Sequence, residues 1–242
     1  MLAILNYHHV AAPPEGAYLP ELYVHPDDFA RQMHWLRRLG LRGVSLTEGM
    51  RRLRAGTAAG CVALTFDDGY VDNVRHAAPV LAEYGFGATC FPVAGCLGGY
   101  NNWDAAWGWE RESIMSHADV DRWLDYGLEI GSHTCTHPRL PTLSREEAMK
   151  ELVYSREYLR GLTGRDVTTF CYPYGAHSAD VESWVAQAGY EIAVTVRRGR
   201  ARPGDGPLNL PRIAINGRKG LLKFLLKAST PYVDARRLMG AA

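Results

Sequence analysis

Cys61-Val62-Ala63-Leu64-Thr65-Phe66-Asp67-Asp68-Gly69-Tyr70 joins an apolar run to two adjacent carboxylates and a glycine. A short run without polar alternation fits a strand buried on both faces, as in parallel sheets covered by helices. Carboxylates at the C-terminal end of such a strand stand where α/β barrels place their chemistry. Asp-Asp-Gly alone would also suit a plain turn, because Asp bonds its local backbone and Gly accepts positive φ. A second stretch favours the first reading. Leu128-Glu129-Ile130-Gly131-Ser132 is again strand-like and runs into His133-Thr134-Cys135-Thr136-His137, closed by Pro138. Two polar clusters, each at a strand end, point to one shared site.

The residue types in that site suit a divalent metal. Catalytic zinc commonly takes three protein ligands and keeps a position open for water. His133, His137 and one of the two aspartates make that count, and the other aspartate is left to accept a proton. The chain therefore reads as a metal-dependent hydrolase.

Outward from these motifs, short apolar runs alternate with amphipathic stretches, the pattern of a parallel α/β fold. Strands are expected at 2–8, 43–46, 61–67, 87–93, 128–133, 167–172, 191–196 and 210–215, and helices at 27–39, 47–55, 71–84, 117–126, 144–162, 178–188 and 218–228. The helix at 144–162 has the fullest signature: a capping box of Ser144 and Glu147, one face of Ala148, Leu152, Ser155, Leu159 and Leu162, and Gly164 past its end. The expectation is a single-domain distorted (β/α) barrel of about seven to eight strands over residues 1–242, with an open doubly wound sheet as the alternative. No phosphate-cradling glycine pattern follows a strand.

The formal net charge of +1 gives no footprint for nucleic acid, and Arg197-Arg198-Gly199-Arg200 reads as a solvated loop. No apolar run is long enough to span a bilayer. Met1-Leu2-Ala3-Ile4-Leu5 enters a strand without a basic region before it, and the five cysteines form no Cys-x-x-Cys, so a cytoplasmic, reducing location is expected. Residues 95–116 resist the barrel scheme. They are glycine-rich, then carry Asn101, Trp103, Asp104, Trp107 and Trp109. A loop of about 20 residues inside a compact domain is usually functional. Its tryptophans would either stack on sugar rings or pack the loop onto the barrel. Asn101, Trp103 and Asp104, with Tyr174, are the candidate substrate contacts.

These motifs resemble the polysaccharide deacetylase family, also called carbohydrate esterase family 4 or the NodB-homology domain. Thr65-Phe66-Asp67-Asp68-Gly69, Ser132-His133-Thr134-Cys135-Thr136-His137 and Phe170-Cys171-Tyr172-Pro173-Tyr174-Gly175 match its three motifs in order. The resemblance implies a distorted barrel that removes acetyl groups from sugars. It makes Asp67 the general base and Asp68, His133 and His137 the holders of one divalent metal, usually zinc, with Co2+, Ni2+ or Mn2+ as alternatives. It also makes the backbone N–H of Tyr174 an oxyanion donor, in a tight turn that Pro173 and Gly175 suit.

The chain departs from the family pattern twice. Many members carry a late Leu-x-His whose histidine is the catalytic acid, and here no histidine follows His177. Leu5-Asn6-Tyr7-His8 instead resembles the branch of poly-N-acetylglucosamine deacetylases whose acid histidine lies near the N-terminus. His8 is then the implied acid, while His9 should face the other way along the strand. Many members also carry a third-motif arginine that orients the base. Cys171-Tyr172 stands there, and Arg212 is the candidate replacement. The expected partner is an acetylated sugar or glycan precursor. The rival readings are a hydrolase of a small cyclic amide or formyl group, and a sugar-binding module without catalysis.

Overall fold

A computed structural model describes residues 1–17, 19–103, 111–217 and 220–238. Its strands are β1 (Ala3–Tyr7), β2 (Arg42–Val44), β3 (Cys61–Asp68), β4 (Thr89–Pro92), β5 (Glu129–Ile130), β6 (Thr169–Cys171), β7 (Ile192–Arg198) and β8 (Leu210–Ala214). All their pairings are parallel, in the order β5-β4-β3-β1-β8-β7-β6. β3 is the longest strand. It pairs with β1, and its other edge serves β2 along Cys61–Ala63 and β4 along Thr65–Asp68. The ends of the order meet through one residue. Ser132 donates its N–H to the Thr169 carbonyl at 3.0 Å and accepts from the Cys171 N–H at 2.9 Å. The result is a nearly closed barrel of seven parallel strands, and the open-sheet alternative falls.

Period-two alternation divides each strand between two apolar environments. Leu5, Tyr7, Leu64, Phe66 and Phe170 belong to the larger cluster under the helices. Leu2, Ile4, Ala63, Phe91, Cys171, Val194 and Leu210 form a second cluster that fills the barrel. Continuing the same alternation puts Thr65, Asp67, His8 and Arg212 on the inner side. The apolar plug therefore sits below a polar mouth at the strand C-termini.

The outer helices are α1 (Pro26–Arg38), α2 (Leu46–Arg54), α3 (Ala78–Tyr84), α4 (His117–Asp125), α5 (Arg145–Thr163), α6 (Ala179–Gln187), α7 (Gly220–Ser229) and α8 (Tyr232–Leu238). α5 carries the expected capping box, buries Ala148, Leu152, Ser155 and Leu159, and stops at Gly164 with φ 63°. No helix among the described residues is long and apolar enough to cross a membrane.

Four local expectations need correction. β5 is only two residues long, and Gly131 just beyond it passes directly beside the Phe91 ring. The helix expected over 71–84 opens as a π-helical turn at Asn73–Ala77 before α3. Pro79 has no N–H to give to Arg75, so a continuous α-helical ladder cannot form there. α8, which begins just after Pro231, was not expected. Arg200 is not a solvated residue: its guanidinium donates to the carbonyls of Lys227, Ala228 and Thr230 at the end of α7.

The barrel closure is sensitive to one missing side chain. A Cβ on Gly131 would lie 2.4 Å from the Phe91 ring and 2.5 Å from Thr169 Oγ1. Gly131→Ala should therefore destabilise the fold by about 1–3 kcal/mol, as overpacking does. Urea unfolding will measure this, and an unchanged midpoint would mean that the β5–β6 seam is looser than described.

Candidate active site

Arg212 is fully buried on β8 and makes every contact a guanidinium can. Nη1 and Nη2 donate to the two oxygens of Asp67, each at 2.7 Å. Nε donates to the Thr195 carbonyl at 2.9 Å, Nη1 also reaches Thr65 Oγ1 at 3.2 Å, and Nη2 reaches Cys171 Sγ at 3.2 Å. This bidentate fork fixes the carboxylate plane. Burial would raise the Asp67 pKa, but Arg212 outweighs it and holds the carboxyl below its ordinary value. Cys171 is small enough to leave this space, and sequence reasoning gave it no role.

Adjacent residues of a regular strand face opposite sides. Asp68 escapes that rule because its φ is 70°. The strand breaks there, and Asp67 and Asp68 both serve the mouth of the barrel. Asp68 Oδ1 lies 3.3 Å from His133 Nε2 and 3.5 Å from His137 Nε2, and the two Nε2 atoms are 3.2 Å apart. Donor atoms on a tetrahedral zinc, each bonded at 2.0–2.1 Å, sit about 3.3–3.4 Å from one another. The three atoms are therefore spaced as the ligands of one small cation.

The chemistry of the donor set agrees. His133 Nδ1 lies 2.7 Å from the Cys171 carbonyl, which can only accept, so this nitrogen carries the N–H. In the neutral ring Nε2 is then a bare lone pair aimed at a carboxylate oxygen. A positive charge between these two acceptors, a proton or a metal ion, removes their repulsion. Burial opposes charge on both rings. At His133 Cys171 and Asp68 outweigh it and the pKa lies well above the ordinary value, whereas at His137 burial and then His133 bring it down to about 3. Among the described residues, the buried His137 Nδ1 has no hydrogen-bond partner.

Backbone strain concentrates here. Among the described residues the non-glycine positions with positive φ are Asp68, Thr134, His137 and Tyr174. Such conformations cost about 1–3 kcal/mol each and persist where surrounding contacts enforce them. One enforcing contact is Glu151 of α5. Its carboxylate accepts from the N–H groups of Cys135 and Thr136 at 2.8 and 2.9 Å, and from Thr136 Oγ1 at 2.7 Å. No sequence signal marked Glu151, since it lies on a helix among other acidic residues. Tyr174, in the Pro173–Gly175 turn at φ 57°, packs its ring 4.5 Å from His137, and the Arg139 guanidinium sits 4.1 Å over that ring.

His8 Nε2 lies 4.0 Å from Asp67 Oδ2, with 22% of its side chain exposed. Burial lowers its pKa against the opposing pull of Asp68 and Asp67. His9 faces away, buried between the rings of Tyr23 and Tyr70 at 4.0 and 3.6 Å. Trp103 is half-buried with its ring 4.8 Å from His137. Asn101 is buried, and its side-chain oxygen accepts the Glu112 N–H at 2.7 Å within the loop. Asp104, Trp107 and Trp109 lie outside the described residues.

Comparison with known proteins places this geometry. The family model described as Polysaccharide deacetylase matches residues 54–193, more than half of the 242-residue chain. The chain is 26% identical over 217 residues to YxkH of Bacillus subtilis, covering 89% of this chain and 71% of that protein. It is 24% identical over 253 residues to the poly-beta-1,6-N-acetyl-D-glucosamine N-deacetylase of Escherichia coli K12, covering 91% of this chain and 37% of that longer protein. The structure of Streptococcus pyogenes deacetylase PplD, solved with acetate, superimposes with a TM-score of 0.80 at 25% identity, covering 94% of this chain and 97% of that one. The chain belongs to the polysaccharide deacetylase family, enzymes that remove acetyl groups from carbohydrates.

The Arg212–Asp67 pair makes a stability prediction. Arg212→Met leaves a buried carboxylate without its partner, and losses of about 3–5 kcal/mol follow such changes. Adding Asp67→Asn in the same chain should recover most of the loss in urea unfolding. No recovery would mean that Arg212 stabilises the fold through packing and not through the pair.

Proposed function

We propose that this carbohydrate deacetylase is a metal-dependent N-deacetylase that acts on an N-acetylated glycan. The observation that carries the reading is the convergence of Asp68 Oδ1, His133 Nε2 and His137 Nε2 within 3.2–3.5 Å of one another, beside a second carboxylate that is held elsewhere. Two imidazoles and one carboxylate suit zinc first, and Co2+, Ni2+ or Mn2+ can use the same donors. The relative in E. coli named for poly-beta-1,6-N-acetyl-D-glucosamine supports an N-acetylhexosamine polymer or oligomer as the substrate class.

A bound ion would polarise the acetyl carbonyl and make a water acidic near neutral pH. The residues of the chain do the rest. Asp67 accepts a proton from the attacking water, and Arg212 keeps that carboxylate ionised and correctly turned. Its lowered pKa makes it a weak base, which suits a water already acidified. Attack forms the new C–O bond and places negative charge on the former carbonyl oxygen. The Tyr174 N–H is the proposed donor to that oxygen, and such a donor contributes roughly 10²–10³ in rate. The C–N electron pair then moves to nitrogen, which is too basic to leave as an anion. His8 delivers a proton to it, a role that typically contributes about 10²–10⁴-fold. The products are acetate and the free amino sugar. Trp103 and Tyr174, whose rings flank His137, are the proposed contacts to the sugar, with Asn101 and Asp104 as further candidates.

Removing the metal tests this reading. Exhaustive chelation should abolish acetate release from N-acetylglucosamine oligomers, and added zinc should restore it. His137→Ala should bind far less than one equivalent of metal while keeping the far-ultraviolet circular dichroism of the parent. Full turnover by metal-free protein would overturn the proposal.

A further inference from the structure

We infer that Asp72, Asn73 and His9 are positioning residues that hold His8 in register with Asp67. The inference rests on the reading of His8 as the proton donor to the leaving amine. β1 ends at Tyr7, the last residue of its ladder with β3. His8 thus leaves the sheet just where its side chain is needed. Beyond the strand, side chains and a neighbouring loop take over from the ladder. Asn73 Nδ2 donates to the His8 carbonyl at 2.9 Å. Asp72 Oδ1 accepts the Val10 N–H at 2.8 Å, and His76 Nδ1 donates to the Val10 carbonyl at 2.7 Å. His9 exchanges backbone bonds with the neighbouring segment, to the Leu22 carbonyl and from the Val24 N–H.

His9 locks this arrangement from its other side. Its Nδ1 donates to Asp72 Oδ2 at 2.8 Å, so one carboxylate holds both the ring of residue 9 and the backbone of residue 10. The Tyr23 and Tyr70 rings enclose the imidazole, with interplanar angles of 3° and 26°. Adjacent histidines thus differ in job, one facing the reaction and one fastening the chain.

The clamp begins only four residues after Asp68. The Asn73 amide also donates to the Tyr70 carbonyl at 3.1 Å and to Asp72 Oδ1 at 3.0 Å, which ties it to the turn that carries Asp67 and Asp68. Asn73 opens the π-helical turn Asn73–Ala77, a conformation frequent at functional sites. The base, the metal-side carboxylate and the support of His8 therefore come from one stretch, 67–76.

The test compares kcat/KM on an N-acetyl substrate and on an activated aryl acetate, using metal-loaded full-length protein. A phenolate leaves without an acid, whereas an amine does not. His8→Ala should lower the amide rate by about 10²–10⁴-fold and the ester rate far less. Asn73→Ala and His9→Phe, the second of which keeps the ring stack, should show the same selectivity at about 10–100-fold on the amide. Neither should cause a further amide loss when added to His8→Ala, and metal content should match the parent throughout. Equal losses on both substrates in Asn73→Ala and His9→Phe, or additive losses in the double variants, would overturn the positioning role and leave His8 as the acid. An unselective His8→Ala would overturn the acid reading and the positioning inference with it.

Discussion

A guanidinium inside a β-barrel must find a carboxylate, and in this chain that requirement organises the site. Arg212 contributes all of its nitrogen atoms to Asp67, Thr65, Thr195 and Cys171. β8 and β3 are thereby connected across the lumen, although β1 lies between them in the sheet. An unpaired ion at this depth would cost several kcal/mol. The pair engages both oxygens of Asp67. Asp68, one residue on, faces the two metal-motif histidines.

That division depends on breaking the strand at one bond. Regular β geometry would send Asp67 and Asp68 to opposite faces, one into the lumen and one under the helices. The positive φ of Asp68 turns the second carboxylate back to the mouth, and Gly69, itself at φ 79°, continues the turn. A Cβ on Gly69 would lie 2.6 Å from Pro92, so the chain has no room for another residue there. The same device recurs at Thr134, His137 and Tyr174. His137 and Tyr174 so bent set their rings against each other at the mouth, and the Thr134 hydroxyl accepts the His137 N–H.

Much of this was legible before any coordinates. The buried run 61–66 and the strand-end clusters at 67–68 and 133–137 carried the barrel and the residues at its mouth, because burial and period two are written in residue type. Arg212 was reached through the family resemblance, as the strand-placed candidate to replace the arginine that Cys171-Tyr172 leaves out of the third motif. The rest depends on backbone torsions and on contacts distant in sequence. The close pass of Gly131 beside Phe91 is a matter of clearance, and the Glu151 clamp joins a helix face to a loop 15 residues away. Neither leaves a pattern in composition. Asp72 and Asn73 lie just beyond the first motif, yet their bonds run to residues more than sixty positions earlier.

In the proposed reading, two neighbouring aspartates take different tasks from their partners. Metal content and turnover, measured side by side in Asp67→Asn and Asp68→Asn, test it most directly. The Asp67 variant should retain about one equivalent of metal, as a three-ligand site would, and lose most N-deacetylase activity, whereas the Asp68 variant should lose the metal. Metal lost from the Asp67 variant and kept by the Asp68 variant would exchange the two roles.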